Sequence, residues 1–437
     1  MAMNRRGFLM TTGVSIAAGA LARPTWTQSL PTAKVAIPPS PPRSWAWVRD
    51  QFPVARDLAH FSAFFITSHP RPVHDAIEEL RRALDENPFE TVEHNLFQRP
   101  DEVRAAAAEY LGGRAQDVAL TRCTTEGLAL VYSGLRLKPG QEILTTLHDH
   151  YSHHESIRLA AQRTGAEVRR IALYDTGSRA RADEAVDRLR RAIRPATRVV
   201  GVTWVHSSTG VKLPLRALAS VIADANRSRE ASDRILLVVD GVHGFGVEDE
   251  AVAEIGCDFF AAGAHKWIFG PRGTGVLWGR REAWEQVQPT VPAFETGPYV
   301  AWGEGRDPGV TEGRWVSPGG FHAYEHMWAL PAAFAFHREI GRARIAARIQ
   351  ELNARIKEGL AGLRRVVVHT PREAGMSAGL VAFEVGGLKP EDVVRRLREK
   401  RIIASTSPYF PPFARLAGSL LNTPEEVDTA VAAVATL

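Results

Sequence analysis

The sequence predicts an α/β protein with a large, mainly parallel sheet and a smaller α+β unit at the C-terminal end. Three observations carry this. Short apolar stretches alternate with helical ones from about residue 72 to 330, the pattern of strands joined by crossover helices. Val, Ile and Leu dominate several of these stretches, as in strands covered on both faces. Beyond residue 330 the character changes to a long helical run, short strands and two further helices.

In chain order, residues 1–22 read as a twin-arginine signal peptide. Asn4-Arg5-Arg6-Gly7-Phe8-Leu9 precedes a mild apolar stretch, and Ala20-Leu21-Ala22 offers small residues at both positions that signal peptidase requires. The reading implies the twin-arginine export machinery as a partner and the periplasm as destination. The stretch is short and rich in Gly, Ala and Thr, which argues against a membrane anchor. Residues 23–50 are assigned to a Pro-rich linker; Pro24, Pro31, Pro38, Pro39, Pro41 and Pro42 make 23–44 an extended tether.

The large domain is placed at 51–335. Helices are predicted at 73–84 and 101–111, and strands at 117–121, 142–146, 168–172, 198–204, 235–240, 258–262 and 275–279. The small domain is placed at 336–437. A single helical run covers 330–363, followed by strands at 365–369 and 379–385, a helix at 390–400 and a third strand at 401–404. A closing helix starts at Pro424, with Thr423 as N-cap and Glu425 and Glu426 in its first turn.

Charge excludes some functions. The 437 residues carry 54 basic and 49 acidic side chains, a net +5, with no basic block or aromatic-basic array of the kind that binds nucleic acid. Cys123 and Cys257 are the two cysteines, too few for a disulfide framework, and are expected as buried free thiols.

Chemistry concentrates at the ends of the predicted strands, where open α/β sheets bind ligands. Val238-Val239-Asp240-Gly241-Val242-His243-Gly244 ends an apolar strand in an acid, a glycine and a histidine. Further on, Gly263-Ala264-His265-Lys266-Trp267-Ile268-Phe269-Gly270-Pro271-Arg272-Gly273 sets a lysine among large apolar residues. Such surroundings depress an amine pKa and leave a neutral nucleophile for an aldehyde. Thr121-Arg122-Cys123-Thr124-Thr125-Glu126-Gly127 follows a strand and opens an apolar helix, a ready anion site. His148-Asp149-His150-Tyr151-Ser152-His153-His154 has the i, i+4 spacing of a helical metal pair at His150 and His154, but no third ligand can be specified, and no metal is assigned.

These motifs together resemble the fold-type I PLP (pyridoxal 5'-phosphate) enzymes of the class V aminotransferase group, which includes cysteine desulfurases, selenocysteine lyases and isopenicillin N epimerase. The resemblance covers about 56–437. It implies PLP as cofactor, held as a Schiff base on Lys266, with Asp240 on the pyridinium nitrogen, His243 on the phenolic oxygen and His265 reaching the phosphate. It further implies that Thr124, Thr125 and Glu126 form the phosphate turn. His150 stacks on the ring, with Tyr151 as substitute. Arg415, ahead of Asn422-Thr423-Pro424-Glu425-Glu426-Val427, clamps a substrate carboxylate. Ser317 and Gly319, in Ser317-Pro318-Gly319-Gly320-Phe321, are implied to reach the phosphate of a neighbouring subunit in a homodimer.

The sequence departs from the group in three places. Residues 401–414 contain no cysteine where desulfurases carry their nucleophile. Ser207 stands where an Asn normally approaches the PLP ring, and Gly263 replaces a frequent phosphate-binding Ser. The Ser207 region and Gly319-Gly320-Phe321-His322-Ala323-Tyr324-Glu325 look more like the epimerase branch. With the export signal, the chain is also similar to periplasmic PLP enzymes that modify a peptide-bound glutamate in siderophore maturation. The expected substrate is an amine, either a small molecule or a peptide, converted in an aminotransferase-like manner; epimerisation, C–S or C–Se lysis, and a non-catalytic binding role on the same scaffold are the alternatives.

Overall fold

The structure, a computed structural model, describes residues 42–373 and 375–437. The stretch expected as a signal and nearly all of the expected tether lie outside the described residues. Residues 43–295 and 310–437 form one compact unit; Pro42 and Thr296–Gly309 belong to another, whose described secondary structure is the helix Thr296–Glu304. The residues of the large sheet and of the small one both fall in the first unit. The linker assignment fails at its end. Trp45–Asp50 is a helix, capped by the Ser44 side chain accepting from the Trp47 amide, and buries Val48.

The large sheet has seven strands: β2 (Val118–Thr121), β3 (Glu142–Thr146), β4 (Glu167–Ile171), β5 (Thr197–Thr203), β6 (Leu236–Asp240), β7 (Phe259–Gly263) and β8 (Gly275–Gly279). A two-residue β1 (Ala59–His60) precedes them. The spatial order is β2-β8-β7-β6-β5-β3-β4, parallel except that β8 runs against both neighbours. Each predicted strand is present to within about a residue.

Burial on both faces explains the apolar runs. Ile143, Val199, Val238, Phe259 and Leu277 enter one core cluster, while Leu144, Val200, Val239, Phe260 and Val276 enter another. Neighbouring residues thus go to opposite faces, as a pleated strand requires. The sheet stacks the carboxyl ends of β2, β3, β5, β6 and β7 along one edge, because all five run the same way.

The helical run expected over 330–363 is two helices, Tyr324–Ile340 and Arg342–Ala361. Gly341 breaks it with φ at +94°, which a side-chain-bearing residue adopts only under strain. Beyond it, β9 (Val366–Val368), β10 (Val381–Val385), β12 (Ser405–Thr406) and β13 (Ala414–Leu416) form an antiparallel sheet in the order β12-β13-β10-β9. The strand expected at 401–404 is only β11 (Ile402–Ile403), and it pairs with β1 instead. The closing helix, Pro424–Ala435, carries a full capping box between Thr423 and Glu426. Among the described residues, no helix is long and apolar enough to cross a membrane.

Candidate active site

β6 ends in Asp240, whose carboxylate is buried and accepts from the Val242 amide at 3.2 Å. Gly241 is obligatory there, since a Cβ would lie 1.9 Å from the Phe260 ring. The next turn presents His243. Trp267 Nε1 donates to His243 Nδ1 at 3.4 Å, so the proton of the neutral ring sits on Nε2, 3.3 Å from the Lys266 amine. Burial, then the neighbouring Lys266 and Arg415 cations, push His243 well below the usual histidine range and keep it neutral.

Lys266 follows β7 on a buried turn of Trp267, Ile268 and Phe269. Phe269 holds φ at +56°, a conformation costly for an aromatic residue, and its ring is locked edge-on to Phe52 at 4.9 Å. Crowding lowers the Lys266 amine to about 8; Asp240 opposes this and Arg415 adds to it. Lys266 nonetheless keeps partial solvent access. Asp240 moves the other way, to about 6, because burial outweighs the Val242 amide and the lysine.

Thr124 opens the helix Thr124–Gly134 at the end of β2, and its hydroxyl accepts from the Gly263 amide at 2.8 Å. Beside it, the His265 ring occupies the space over Gly263, where a Cβ would lie 2.8 Å from it. This accounts for glycine where the resemblance expected serine. Burial and Lys266 lower His265 to about 4.

Other predicted residues are placed differently. Glu126 uses both carboxylate oxygens on Arg122, accepting from its amide at 2.6 Å and its Nε at 2.8 Å, which braces the turn at the helix start. Thr125 faces solvent. Tyr151 is 73% exposed, whereas His150 is half-buried. The Ser317 hydroxyl accepts from the Leu120 amide at 3.0 Å and from Arg104 at 3.4 Å, and the Gly319 amide donates to Pro292 O at 2.8 Å. These bonds tie the 317–319 loop to the edge strand at Leu120, to the helix of Arg104 and to Pro292.

His150 caps the helix Tyr151–Thr164, with its Nδ1 bonded to Ser152, and stands edge-on to Tyr409 at 5.9 Å. The second member of the supposed metal pair, His154, bonds the Thr146 carbonyl at 2.8 Å through Nε2. His154 thus ties its helix to the end of β3, while only Nδ1 of the His150 ring is used in capping.

Arg415 lies in β13, buried, and is pushed down to about 10 by burial, against the influence of Tyr409. Its Nε donates to Ser405 Oγ at 3.2 Å, Nη1 to Ser207 O at 2.7 Å and Nη2 to Thr406 O at 3.0 Å, and its guanidinium covers the Phe64 ring at 4.5 Å. Every one of these acceptors is neutral. A guanidinium has five N–H groups, so one is left on each terminal nitrogen, the pair that grips a carboxylate.

Two site residues escaped the sequence reading. Asp149 is buried between strand ends, where its carboxylate accepts from Thr145 Oγ1 and the Thr146 and Thr203 amides at 2.7–2.8 Å. Burial opposes its charge, but the neighbouring histidines and these bonds bring it down to about 2. It latches the end of β3 to that of β5, and nothing local in sequence announces a partner 54 residues away. The other is Tyr409, on the loop between β12 and β13, whose hydroxyl meets Ser207 Oγ at 2.8 Å. Both cysteines are free; Cys257 is buried and Cys123 partly so.

The profile of the family described as Aminotransferase class-V matches residues 66–407. The chain belongs to that family. Among curated relatives, this class V protein is 29% identical to an isopenicillin N epimerase of Amycolatopsis lactamdurans, over 78% of this chain and 85% of that one. It is 27% identical to a cysteine desulfurase of Klebsiella pneumoniae, over 88% and 96%. Among solved structures, a C-DES variant with glycine covalently linked to its PLP cofactor superposes with a TM-score of 0.79 at 25% identity, over 89% of this chain and 98% of that one. The fold also matches an apo cysteine desulfurase of Thermococcus onnurineus, with a TM-score of 0.75 at 23% identity, over 90% and 97%. The architecture is that of fold-type I, and the family's cofactor is PLP. This chain's residues fit it: a crowded amine at Lys266, a buried carboxylate at Asp240, an Nε2–H donor on His243 and a helix start at Thr124 converge on one sheet edge.

Proposed function

We propose that the protein is a PLP-dependent enzyme acting at the amino-bearing carbon of an amino acid that presents a carboxylate, in an aminotransferase-like conversion. The observation that carries this is Arg415: a buried guanidinium with only neutral acceptors, on the same site as the Lys266 amine. Bound PLP supplies an aldehyde for the amino group and an electron sink that acidifies the adjacent C–H. Asp240 would hold the pyridinium nitrogen, the His243 Nε2–H the phenolic oxygen, and the Thr124 turn and His265 the phosphate, with His150 against the ring. Lys266, with its pKa near 8, is poised to take and return a proton close to neutral pH. Arg415 orients the substrate through its carboxylate.

The same groups would begin an epimerisation, and the epimerase relatives favour that second reading; the absence of a cysteine from 401–414 weighs against a desulfurase, which needs a thiol there to receive sulfur. Export by the twin-arginine machinery to the periplasm is supported by Arg5-Arg6 and the segment behind them. The epimerase-like loop and that signal support a peptide-linked glutamate, as in siderophore maturation, as the substrate. Homodimerisation is supported by the resemblance of the 317–321 loop.

The test is direct. Borohydride reduction of the purified yellow protein, followed by peptide mapping, should place the cofactor on Lys266, and Lys266→Ala should lose the band. A band retained in that variant overturns the assignment. With amino acid and peptide substrates, a keto product supports the first reading and an inverted centre the second.

A further inference from the structure

Tyr409 has no role in the reading above, yet its surroundings are those of a ligand-binding group. It reaches the site from the small sheet, on the loop joining β12 to β13, while Lys266 reaches it from the large one. Its ring stands against His150, and its hydroxyl meets Ser207 Oγ at 2.8 Å. Arg415 Nη1 binds the backbone oxygen of that same Ser207 at 2.7 Å. One residue therefore anchors both the uncompensated guanidinium and the phenol. The Arg415 fork can occupy two of the roughly four lone-pair positions of a carboxylate, which leaves positions for a further donor.

We propose that Tyr409 is a second carboxylate ligand, donating its O–H to the anion that Arg415 holds, with Ser207 aiming both groups. The inference rests on the reading of Arg415 as the carboxylate site. Ser207 then donates to the Tyr409 oxygen, which frees the phenol's own proton for the ligand. Burial pushes the phenol far above the usual tyrosine range, so it remains a donor throughout the pH range in which the anion exists. The substrate class narrows accordingly. A free carboxylate, whether the α-carboxylate of an amino acid or one exposed by a peptide, is gripped by two side chains. An amide in its place leaves Arg415 and Tyr409 without the charge they address.

The test uses the holoenzyme and two inert probes, propionate and its neutral isostere propionamide, with binding measured by calorimetry. The wild type should prefer propionate by at least about tenfold. Tyr409→Phe should lower propionate affinity by about tenfold or more and leave propionamide unchanged, as expected for one hydrogen bond to a charged group. Ser207→Ala, which keeps the backbone oxygen that Arg415 uses, should show a smaller loss of the same kind. If Tyr409→Phe binds propionate like the wild type, or weakens both probes equally, the phenol is not a carboxylate ligand. If the wild type shows no preference, or Arg415→Gln retains it, the fault lies with the underlying reading of Arg415.

Discussion

Two arginines are buried to the same degree, Arg104 at 3% exposure and Arg415 at 4%, and they are treated in opposite ways. Arg104, on the helix Gln98–Leu111, is paired with Asp101 and Glu295 and also donates to Ser317. Arg415 has three neutral oxygens and no acid. A buried charge is costly unless paired, so the first arrangement is self-contained and the second is incomplete. The difference teaches how to find function among buried charges. Arg104 has its counter-ions within the chain and holds Ser317 to its helix, whereas Arg415, in the function proposed above, takes its counter-ion from the substrate.

The comparison can be broken in three ways. The largest effect on stability belongs to Arg104→Met. It removes the ion pair that holds Glu295 and one of the two bonds to the Ser317 hydroxyl, and denaturant unfolding should show a loss of about 3 kcal/mol. Arg415→Met should cost less than about 1 kcal/mol, or even stabilise, because it removes an uncompensated charge. The same variant should lose on the order of 100-fold in kcat/KM for a carboxylate-bearing substrate. Equal destabilisation by the two substitutions would erase the distinction.

The smallest effect is one of pH. The Lys266 amine binds its proton less tightly when folded, at about 8, than at its ordinary 10.5. Between these values the unfolded chain carries more protons, so stability contributed by this group rises with pH through that window and is absent below it. Cofactor-free wild type should therefore stabilise from pH 8 towards 10.5 relative to Lys266→Met; parallel curves for the two would mean that the lysine is not desolvated.

Much of the site was legible because it is local. Asp240, His243 and Lys266 sit at strand ends that apolar runs reveal, and the capping box at Thr423 and Glu426 is a four-residue pattern. What escaped depends on distant chain. Tyr409 lies in a Pro-rich loop between two very short strands, and its partner is 202 residues away. The strand that carries Arg415 is three residues long, below what periodicity can show. That Arg122 folds back onto Glu126 is likewise not visible in the sequence. The break at Gly341 was visible as a glycine, but a helix can continue through one; only its positive φ ends the run.

The incomplete Arg415 site has a thermodynamic consequence. Any anion that completes it binds the native chain alone, so occupancy and folding are linked. At a concentration one hundred times its dissociation constant, such a ligand raises the unfolding free energy by about 2.7 kcal/mol. A shift in melting temperature would then report which carboxylates the site accepts, before any product has been identified.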